Sequence, residues 1–242
     1  MTRRIRLGML TPSSNTALEP ISQAMIAGLD GVSVHFARFP VTEIALSDRA
    51  LAQFDDAPLL RAAELLAHAK VDAIAWNGTS SGWLGFDADE RLCARIVAAT
   101  GIPATTSMLA LNQALAAVGA RRIALVTPYL DDVQARIVAH YAALGFACAA
   151  ERHLRLRDNF SFAEVEPDMI AGMIREVAAA RPDAIAVICT NLHAAPLVDG
   201  LEAALGIPIL DTIATAIWGA LRLAGVDPAR VRGWGRLFAG AA

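Results

Sequence analysis

The sequence has few cysteines, few charged residues and no long apolar run, and each shortage excludes a class of protein. Its three cysteines show neither CxxC nor Cys/His metal spacing, which argues against a disulfide framework and a structural zinc. Charged residues make up 19%, and the net charge of −3 includes no basic block, so nucleic acid and anionic membranes are poor partner candidates. No apolar segment approaches the ~20 residues of a membrane-spanning helix. We therefore expect a cytoplasmic globular protein.

Several catalytic motifs are also missing. Walker A, HExxH, GxSxG and paired-carboxylate motifs do not occur in the sequence. The segment Gly233–Arg236 lacks the strand–turn–helix context of a dinucleotide fingerprint. We therefore expect no metal and no organic cofactor, so that any chemistry has to come from side chains and backbone groups.

Short apolar runs alternate with helical patterns along the chain, which predicts parallel βα units and an α/β fold. The expected strands are residues 6–10, 33–39, 73–76, 122–126, 147–154, 184–188 and 207–210, with another short strand after 101. The expected helices are residues 56–70, 87–100, 109–119, 131–145, 166–180, 196–205 and 214–224.

Three landmarks recur in the same order in the two halves of the chain, which indicates an internal duplication. The aligned pairs, at offsets of 116, 111 and 105, are Arg6–Pro12 with Arg122–Pro128, Asp72–Ser80 with Asp183–Asn191, and Gly101–Pro103 with Gly206–Pro208. We predict two pseudo-symmetric open parallel-sheet domains, flavodoxin-like halves with the active site in the cleft between them. Residues 1–113 and 214–242 would form one half, and residues 114–213 the other.

The carboxyl ends of the predicted strands carry loops rich in hydroxyl and amide groups. Ligands of open α/β sheets bind at this edge, and two facing halves would bring four such loops into one cleft. None of the four contains Arg or Lys, so neutral donors would hold a carboxylate there, as in an oxyanion hole. The loops are Thr11–Asn15, Gly78–Ser80, Thr127–Tyr129 and Cys189–Asn191.

Cys189 is the residue whose position most strongly indicates chemistry. In the repeat it aligns with Gly78, so a cleft that could carry a thiol on each side carries one. A cysteine at the end of a buried strand is often only a small apolar residue. Cys189, however, lies at a strand-to-loop junction and is followed by Thr190 and Asn191, which favours a functional role.

Other candidates have plain structural interpretations that the sequence leaves open. Thr79, Ser80 and Ser81 could cap the helix that follows, a role compatible with anion binding by the same loop. Tyr129 fits an exposed turn, and Asn159 fits a turn in a flexible segment. Cys93 and Cys148 fit plain core residues, and His193 fits a residue at a helix start, although a helical turn would let it approach Cys189.

Nearly the whole chain resembles the Asp/Glu racemase superfamily, in particular its maleate cis-trans isomerase and arylmalonate decarboxylase branch. The segments similar to the isomerases are Pro12–Thr16, with Glu19, and Asp158–Phe160. The segments similar to the decarboxylases are Gly78–Ser80, Thr127–Val133 and Gly233–Phe238. In the decarboxylase loop, glycine stands in place of the first catalytic cysteine.

The resemblance implies cofactor-free chemistry at the carbon next to a carboxylate. In the decarboxylases, the residues that match Thr79, Ser80 and Tyr129 hold the retained carboxylate as it becomes an enediolate. The position of Cys189 then protonates the carbanion. In the isomerases the first of two cysteines attacks the double bond, and Gly78 leaves that route without its nucleophile.

The cleft loops and the resemblance together give a set of expected substrate contacts: Pro12, Ser13, Asn15, Gly78, Asn159, Thr190 and Asn191. We predict a cofactor-independent lyase that decarboxylates a substituted malonate or related small diacid, with Cys189 as proton donor. One alternative is a maleate isomerase or Asp/Glu-type racemase, and another is a non-catalytic carboxylate-binding protein. The expected partner is a small carboxylate, and a homo-oligomer is left open.

Overall fold

The computed structural model describes residues 3–47 and 56–240, and its elements follow the predicted alternation. The strands are β1 (Ile5–Pro12), β2 (Val32–Phe39), β3 (Ala73–Trp76), β4 (Ala104–Thr106), β5 (Arg122–Thr127), β6 (Ala147–His153), β7 (Ala184–Val187) and β8 (Ile209–Asp211). The helices are α1 (Leu18–Ile26), α2 (Asp56–His68), α3 (Ser81–Leu84), α4 (Phe86–Thr100), α5 (Ser107–Ala117), α6 (Asp131–Ala143), α7 (Pro167–Ala178), α8 (Val198–Leu205), α9 (Thr212–Leu223) and α10 (Arg236–Ala239). Short 3₁₀ turns lie at Phe160–Glu164, Ala195–Leu197 and Pro228–Arg230.

The strands form two four-stranded parallel sheets, which confirms the predicted fold class. Their orders are β2-β1-β3-β4 and β6-β5-β7-β8, so each half has the same topology. Every residue of the inner strands β3 and β7 is buried, as expected for parallel strands that helices cover on both faces.

The duplication is visible in matching hydrogen bonds. The backbone N–H of Arg6 donates to Oδ2 of Asp72 at 2.8 Å. The backbone N–H of Arg122 donates to Oδ2 of Asp183 at the same distance. Each aspartate therefore joins the start of one inner strand to the neighbouring strand, β3 to β1 and β7 to β5. The two hydrogen bonds occupy equivalent positions in the repeat.

The N-terminal helix α1 was missed by the pattern analysis. Its buried side chains include Leu18, Ile21 and Met25, which share one helical face. Oδ1 of Asn15 accepts hydrogen bonds from the backbone N–H groups of Ala17 and Leu18, at 3.1 and 2.9 Å. The loop after β1 therefore starts this helix through an asparagine side chain.

The C-terminal helix α9 packs on the first half of the chain. The hydroxyl of Thr215 donates to the carbonyl of Ser107 at 2.9 Å. A Cβ on Gly219 would lie 3.0 Å from Cβ of Ala110, so α9 and α5 approach each other closely. This packing agrees with assigning residues after 213 to the first half, although the domain division itself stays a prediction. Within residues 3–47 and 56–240, no helix has the length and apolar character needed to cross a membrane.

Cys93 and Cys148 are not core residues, and that prediction was wrong. Both side chains are half-buried. Cys93 lines a groove between α5 and α9, and Cys148 packs at the border of the core from the edge strand β6. An edge strand and an amphipathic helix each leave part of their residues near solvent, which the apolar sequence context did not indicate.

Candidate functional site

A small pocket lies between the two sheets, where the strands of both halves end. The predicted site residues that line it are Pro12, Gly78, Thr79, Tyr129, Asn159, Cys189 and Thr190. Its apolar wall consists of Val41, Ile44, Trp76 and Trp83. About 20 Å³ is open to the centre of a water molecule, which is room for one or two waters. The polar groups are therefore enclosed by the apolar wall.

Thr79 and Tyr129 meet across the two halves. Their hydroxyl oxygens are 2.6 Å apart, and both side chains are buried. The ring of Tyr129 packs edge-on against Trp83 and Phe162, with centroids at 5.2 and 5.6 Å. The interpretation of Tyr129 as an exposed turn residue was therefore wrong, because aromatic rings from both halves enclose it. Burial keeps the pKa of the phenol well above its ordinary value, so the hydroxyl stays a neutral donor.

Cys189 follows β7, and its thiol is buried. Burial raises the pKa of the thiol to about 12, although hydrogen bonds to Sγ from the backbone of Asn191 and the hydroxyl of Tyr129 act in the opposite direction. The N–H of Asn191 lies 3.3 Å from Sγ. The thiol is therefore protonated at neutral pH, a state suited to giving a proton rather than to nucleophilic attack.

Gly78 faces the indole ring of Trp76 at very short range. A Cβ on Gly78 would lie 1.8 Å from Cζ2 and 2.3 Å from Cε2 of Trp76. The carbonyl of Gly78 accepts a hydrogen bond from the hydroxyl of Ser107 at 2.6 Å, which fixes the loop on this side. At the position equivalent to Cys189, the structure therefore has no space for a side chain.

The loop from Gly78 into α3 presents backbone donors. Among the described residues, no hydrogen bond uses the backbone N–H of Thr79 or Ser80. The prediction that these side chains cap the next helix was wrong, because Ser80 makes no capping hydrogen bond and Thr79 bonds Tyr129. The hydroxyl of Ser81 instead donates to the buried carboxyl of Asp89 at 2.8 Å.

Asn15 and Thr190 connect the halves behind the pocket. Nδ2 of Asn15 donates to the carbonyl of Thr190 at 2.9 Å, while its Oδ1 accepts the hydrogen bonds that start α1. The hydroxyl of Thr190 donates to the carbonyl of Asn77 at 2.9 Å. The side-chain amide of Asn15 is thus fully used within the protein, and it does not line the pocket.

Asn159 and Asn191 form a second connection. Nδ2 of Asn191 donates to the carbonyl of Asn159 at 2.6 Å, and Nδ2 of Asn159 donates to the hydroxyl of Ser14 at 2.8 Å. Oδ1 of Asn191 accepts from the N–H of Thr16 at 2.9 Å. Asn159 lies in a turn as expected, but it is 5% exposed and its side chain is hydrogen-bonded, so it does more than form the turn.

Ser13 and Arg38 hold the first loop from outside. Oγ of Ser13 accepts from the N–H of Val41 at 3.1 Å, and the guanidinium of Arg38 donates to the carbonyls of Ser13 and Asn15 at 2.9 Å. Arg38 also pairs with Glu19. Arg38 was not among the predicted site residues, because it lies on the neighbouring strand β2 and not in one of the four loops.

Trp76 is a pocket residue that was not among the predicted contacts, although the sequence carried a signal for it. Residues two apart on an extended strand face the same side, so Trp76 and Gly78 pointed to one surface. A large side chain next to a glycine on one face indicates close packing between them. Two further apolar lining residues, Val41 and Ile44, lie in a loop for which the pattern gave no placement.

His193 is half-buried, and no hydrogen bond among the described residues joins it to Cys189. In the same part of the chain, no group of three or more His, Cys, Asp or Glu side chains could hold a metal ion.

Asp211 is a buried carboxyl at the end of β8, beside the segment that carries Cys189. Its Oδ1 accepts from the N–H groups of Ile213 and Ala214 at 2.8 and 3.1 Å and so caps α9. Its Oδ2 has no partner among the described residues. Burial raises the pKa of this carboxyl to about 7. Because the folded state then binds the proton more tightly than the unfolded chain, stability falls as pH rises from about 4 to about 7.

Asp211→Asn should remove this pH dependence. The amide oxygen can keep both capping bonds without the cost of a buried charge. The free energy of unfolding of the variant at pH 8 should therefore exceed that of the wild type by up to about 4 kcal/mol. Urea unfolding at pH 5 and pH 8 measures the difference. Asp30→Asn, at an exposed position, is the matched control. An unchanged slope between pH 5 and pH 8 in Asp211→Asn would contradict the assignment.

The sequence matches a known protein family over most of its length. The family model described as arylmalonate decarboxylase matches residues 8–238. The arylmalonate decarboxylase of Bordetella bronchiseptica is 32% identical over 142 residues, which span 58% of this chain and 59% of that protein. The maleate isomerase of Pseudomonas putida is 27% identical over 255 residues and the full length of both chains.

A solved structure with the same fold extends this likeness. It is the maleate cis-trans isomerase of Nocardia farcinica, a mutant that holds a covalently bound succinylcysteine intermediate. The TM-score is 0.88 at 26% identity, and the match covers 97% of this chain and 98% of that one. The relatives therefore carry two different reactions on one architecture.

Proposed function

Because this chain belongs to the arylmalonate decarboxylase family, we propose that it is a cofactor-independent lyase that decarboxylates a substituted malonate or related small diacid. The alternative within the family is cis-trans isomerisation of maleate. Both reactions act at a carbon next to a carboxylate, and they differ in how many thiols they need.

The contact between Gly78 and Trp76 is the observation that carries the choice. A relative named as a maleate isomerase holds its intermediate covalently on a cysteine. At the pseudo-symmetric partner of Cys189, this chain has a glycine whose Cβ position is filled by the indole. Decarboxylation needs a single proton donor, so it fits a pocket with one thiol.

Thr79 and Tyr129 provide neutral donors for the carboxylate that the substrate retains. Their hydroxyls are 2.6 Å apart and buried, and the N–H groups of Thr79 and Ser80 lack protein acceptors among the described residues. Charge that develops as an enediolate would be stabilised by these fixed donors, each of which is typically worth about 3 kcal/mol. Ser80 would contribute through its backbone.

Cys189 is the proposed acid. As the bond to the departing carboxyl group breaks, its electron pair moves into the retained carboxylate and CO₂ leaves. The S–H of Cys189 then protonates the carbon, and the resulting thiolate takes a proton back from solvent. The raised pKa favours this role, because the thiol is protonated before the reaction and its thiolate is rapidly reprotonated afterwards.

Val41 and Ile44 would face the carboxylate that departs. An apolar wall disfavours a solvated carboxylate and does not disfavour neutral CO₂. The lining supports this division, because it combines the hydroxyl donors of Thr79 and Tyr129 with the apolar side chains of Val41 and Ile44.

Proton NMR in D₂O tests the proposal. The protein is incubated with substituted malonates, maleate and simple 2-substituted acids. Loss of a malonate, with deuterium on the new C–H of the monoacid, is the expected result. A protein that consumes no malonate, yet is stabilised by one in thermal unfolding, would instead be a carboxylate-binding protein.

Maleate isomerisation is the second candidate, and the full-length likeness to maleate isomerases favours it. It would require a hydroxyl or a water molecule to replace the missing thiol. Conversion of maleate to fumarate in the same NMR experiment, without loss of malonates, would establish this candidate and overturn the lyase.

Tyr129→Phe tests the role of the neutral donors. The ring and its contacts with Trp83 and Phe162 remain, while the hydroxyl partner of Thr79 is lost. We expect kcat to fall by about 10²- to 10³-fold, as for other oxyanion donors. Tyr141→Phe is the matched control, because the buried hydroxyl of Tyr141 has no partner among the described residues. Equal losses in the two variants would contradict the assignment.

A further inference from the structure

The indole of Trp76 occupies the part of the pocket next to Gly78. Trp76 is 1% exposed and lies against Phe39, with ring centroids 4.9 Å apart. Its six-membered ring supplies all three of the nearest atoms to a Cβ on Gly78, at 1.8, 2.3 and 2.5 Å. The indole therefore covers the face of Gly78 that points into the pocket.

The reacting groups surround the same small volume. Thr79, Tyr129 and Cys189 line it together with Trp76, whose indole covers Gly78. A substrate anchored by its retained carboxylate and protonated by Cys189 has to place its third substituent against the remaining wall. The open space is about 20 Å³, so a substrate enters only as lining side chains move, and the indole at this wall limits how far the space can widen.

We propose that Trp76 sets the size limit for the substituent on the reacting carbon, so that the pocket takes malonates with a compact alkyl group and excludes aryl ones. This inference rests on the proposed lyase function for the identity of the substrate. The size limit itself concerns which molecules can reach the thiol of Cys189, and this access can be measured by chemical labelling without any turnover.

Trp76→Leu is the test variant, because it keeps an apolar side chain and shortens it. Trp218→Leu is the matched control, since Trp218 lies in a surface groove with Arg222 stacked over its ring. The first measurement is kcat/KM for phenylmalonate relative to methylmalonate. We expect Trp76→Leu to raise this ratio about tenfold or more, in the range of steric discrimination by apolar pockets.

The second measurement is independent of catalysis. Folded protein is treated with iodoacetamide or with the bulkier N-phenylmaleimide, and labelling of Cys189 is followed by peptide mass spectrometry. Cys93 and Cys148, both outside the pocket, are internal references. The ratio of bulky to small labelling at Cys189 should rise in Trp76→Leu and stay unchanged in Trp218→Leu.

The outcomes separate the two ideas. If the labelling ratio rises but no malonate is consumed by either form, Trp76 limits access as proposed and the lyase function is wrong. If the wild type consumes malonates and neither ratio changes in folded Trp76→Leu, the size limit lies elsewhere and the inference is overturned. Should Trp76→Leu fail to fold, Trp76→Phe is measured with the same criteria.

Discussion

Cys189→Ala is expected to lower turnover of the substrate by about 10³-fold or more, within the range that a general acid contributes. Cys189 is the single thiol of the pocket, and the position equivalent to it is Gly78. Without the thiol, the enediolate would have to take its proton from solvent that the closed pocket admits poorly. The rate of malonate loss, measured by NMR in D₂O, gives the effect.

Cys148→Ala is the control for this substitution. It removes a half-buried thiol from the same half of the molecule, at β6, and should retain full turnover. The Cys189→Ala variant should still be stabilised against heat by the substrate, because Thr79 and Tyr129 remain in place. Turnover that survives in Cys189→Ala would show that another group supplies the proton.

Gly78→Ala is expected to destabilise the protein by about 3 kcal/mol, the upper range of overpacking effects. The backbone of Gly78 is outside the left-handed region, so the cost comes from space alone. The added Cβ would overlap the ring of Trp76. This ring packs against Phe39 in the core, so it has little room to move away. Urea unfolding measures the change in free energy.

The partner substitution identifies the cause of this loss. Because Trp76→Leu clears the overlapping ring, Gly78→Ala should cost at least about 1 kcal/mol less in that background, as contacting residues are coupled. Gly172→Ala is the control, since a Cβ there meets nothing within 4 Å and should be neutral or stabilising. A full loss that persists in the double variant would exclude Trp76 as the obstacle. A thiol introduced by Gly78→Cys would meet the same ring, so its chemistry should be tested with Trp76→Leu.

In the proposed reaction, the two halves of the chain supply different groups to the pocket. The first half supplies the backbone donors after Gly78, and the second supplies Tyr129 and the thiol of Cys189. Side-chain amides of Asn15 and Asn191 join the loops behind the pocket, and the amide of Asn159, which lies at the lining, donates to Ser14. We expect these amides to fix the distance between the donors and the acid, rather than to contact substrate.

The sequence by itself determined the two parallel sheets and the edge at which the pocket forms. Strands such as β3 and β7 are short runs of apolar residues, and their repeat at nearly constant offset indicated two similar halves. The loops after Thr11, Gly78, Thr127 and Cys189 followed directly, because parallel strands bring their carboxyl ends to the same edge. These features depend on local pattern, which a single chain displays.

Only the tertiary structure decided which polar residues face the pocket and which hold it together. Asn15 and Asn159 are both asparagines of polar loops, yet Asn159 lines the pocket and Asn15 lies behind the lining. Tyr129 is buried because Trp83 and Phe162, distant in sequence, pack on its ring. Contacts of this kind join segments far apart along the chain, and their geometry is set by the packing of the whole fold.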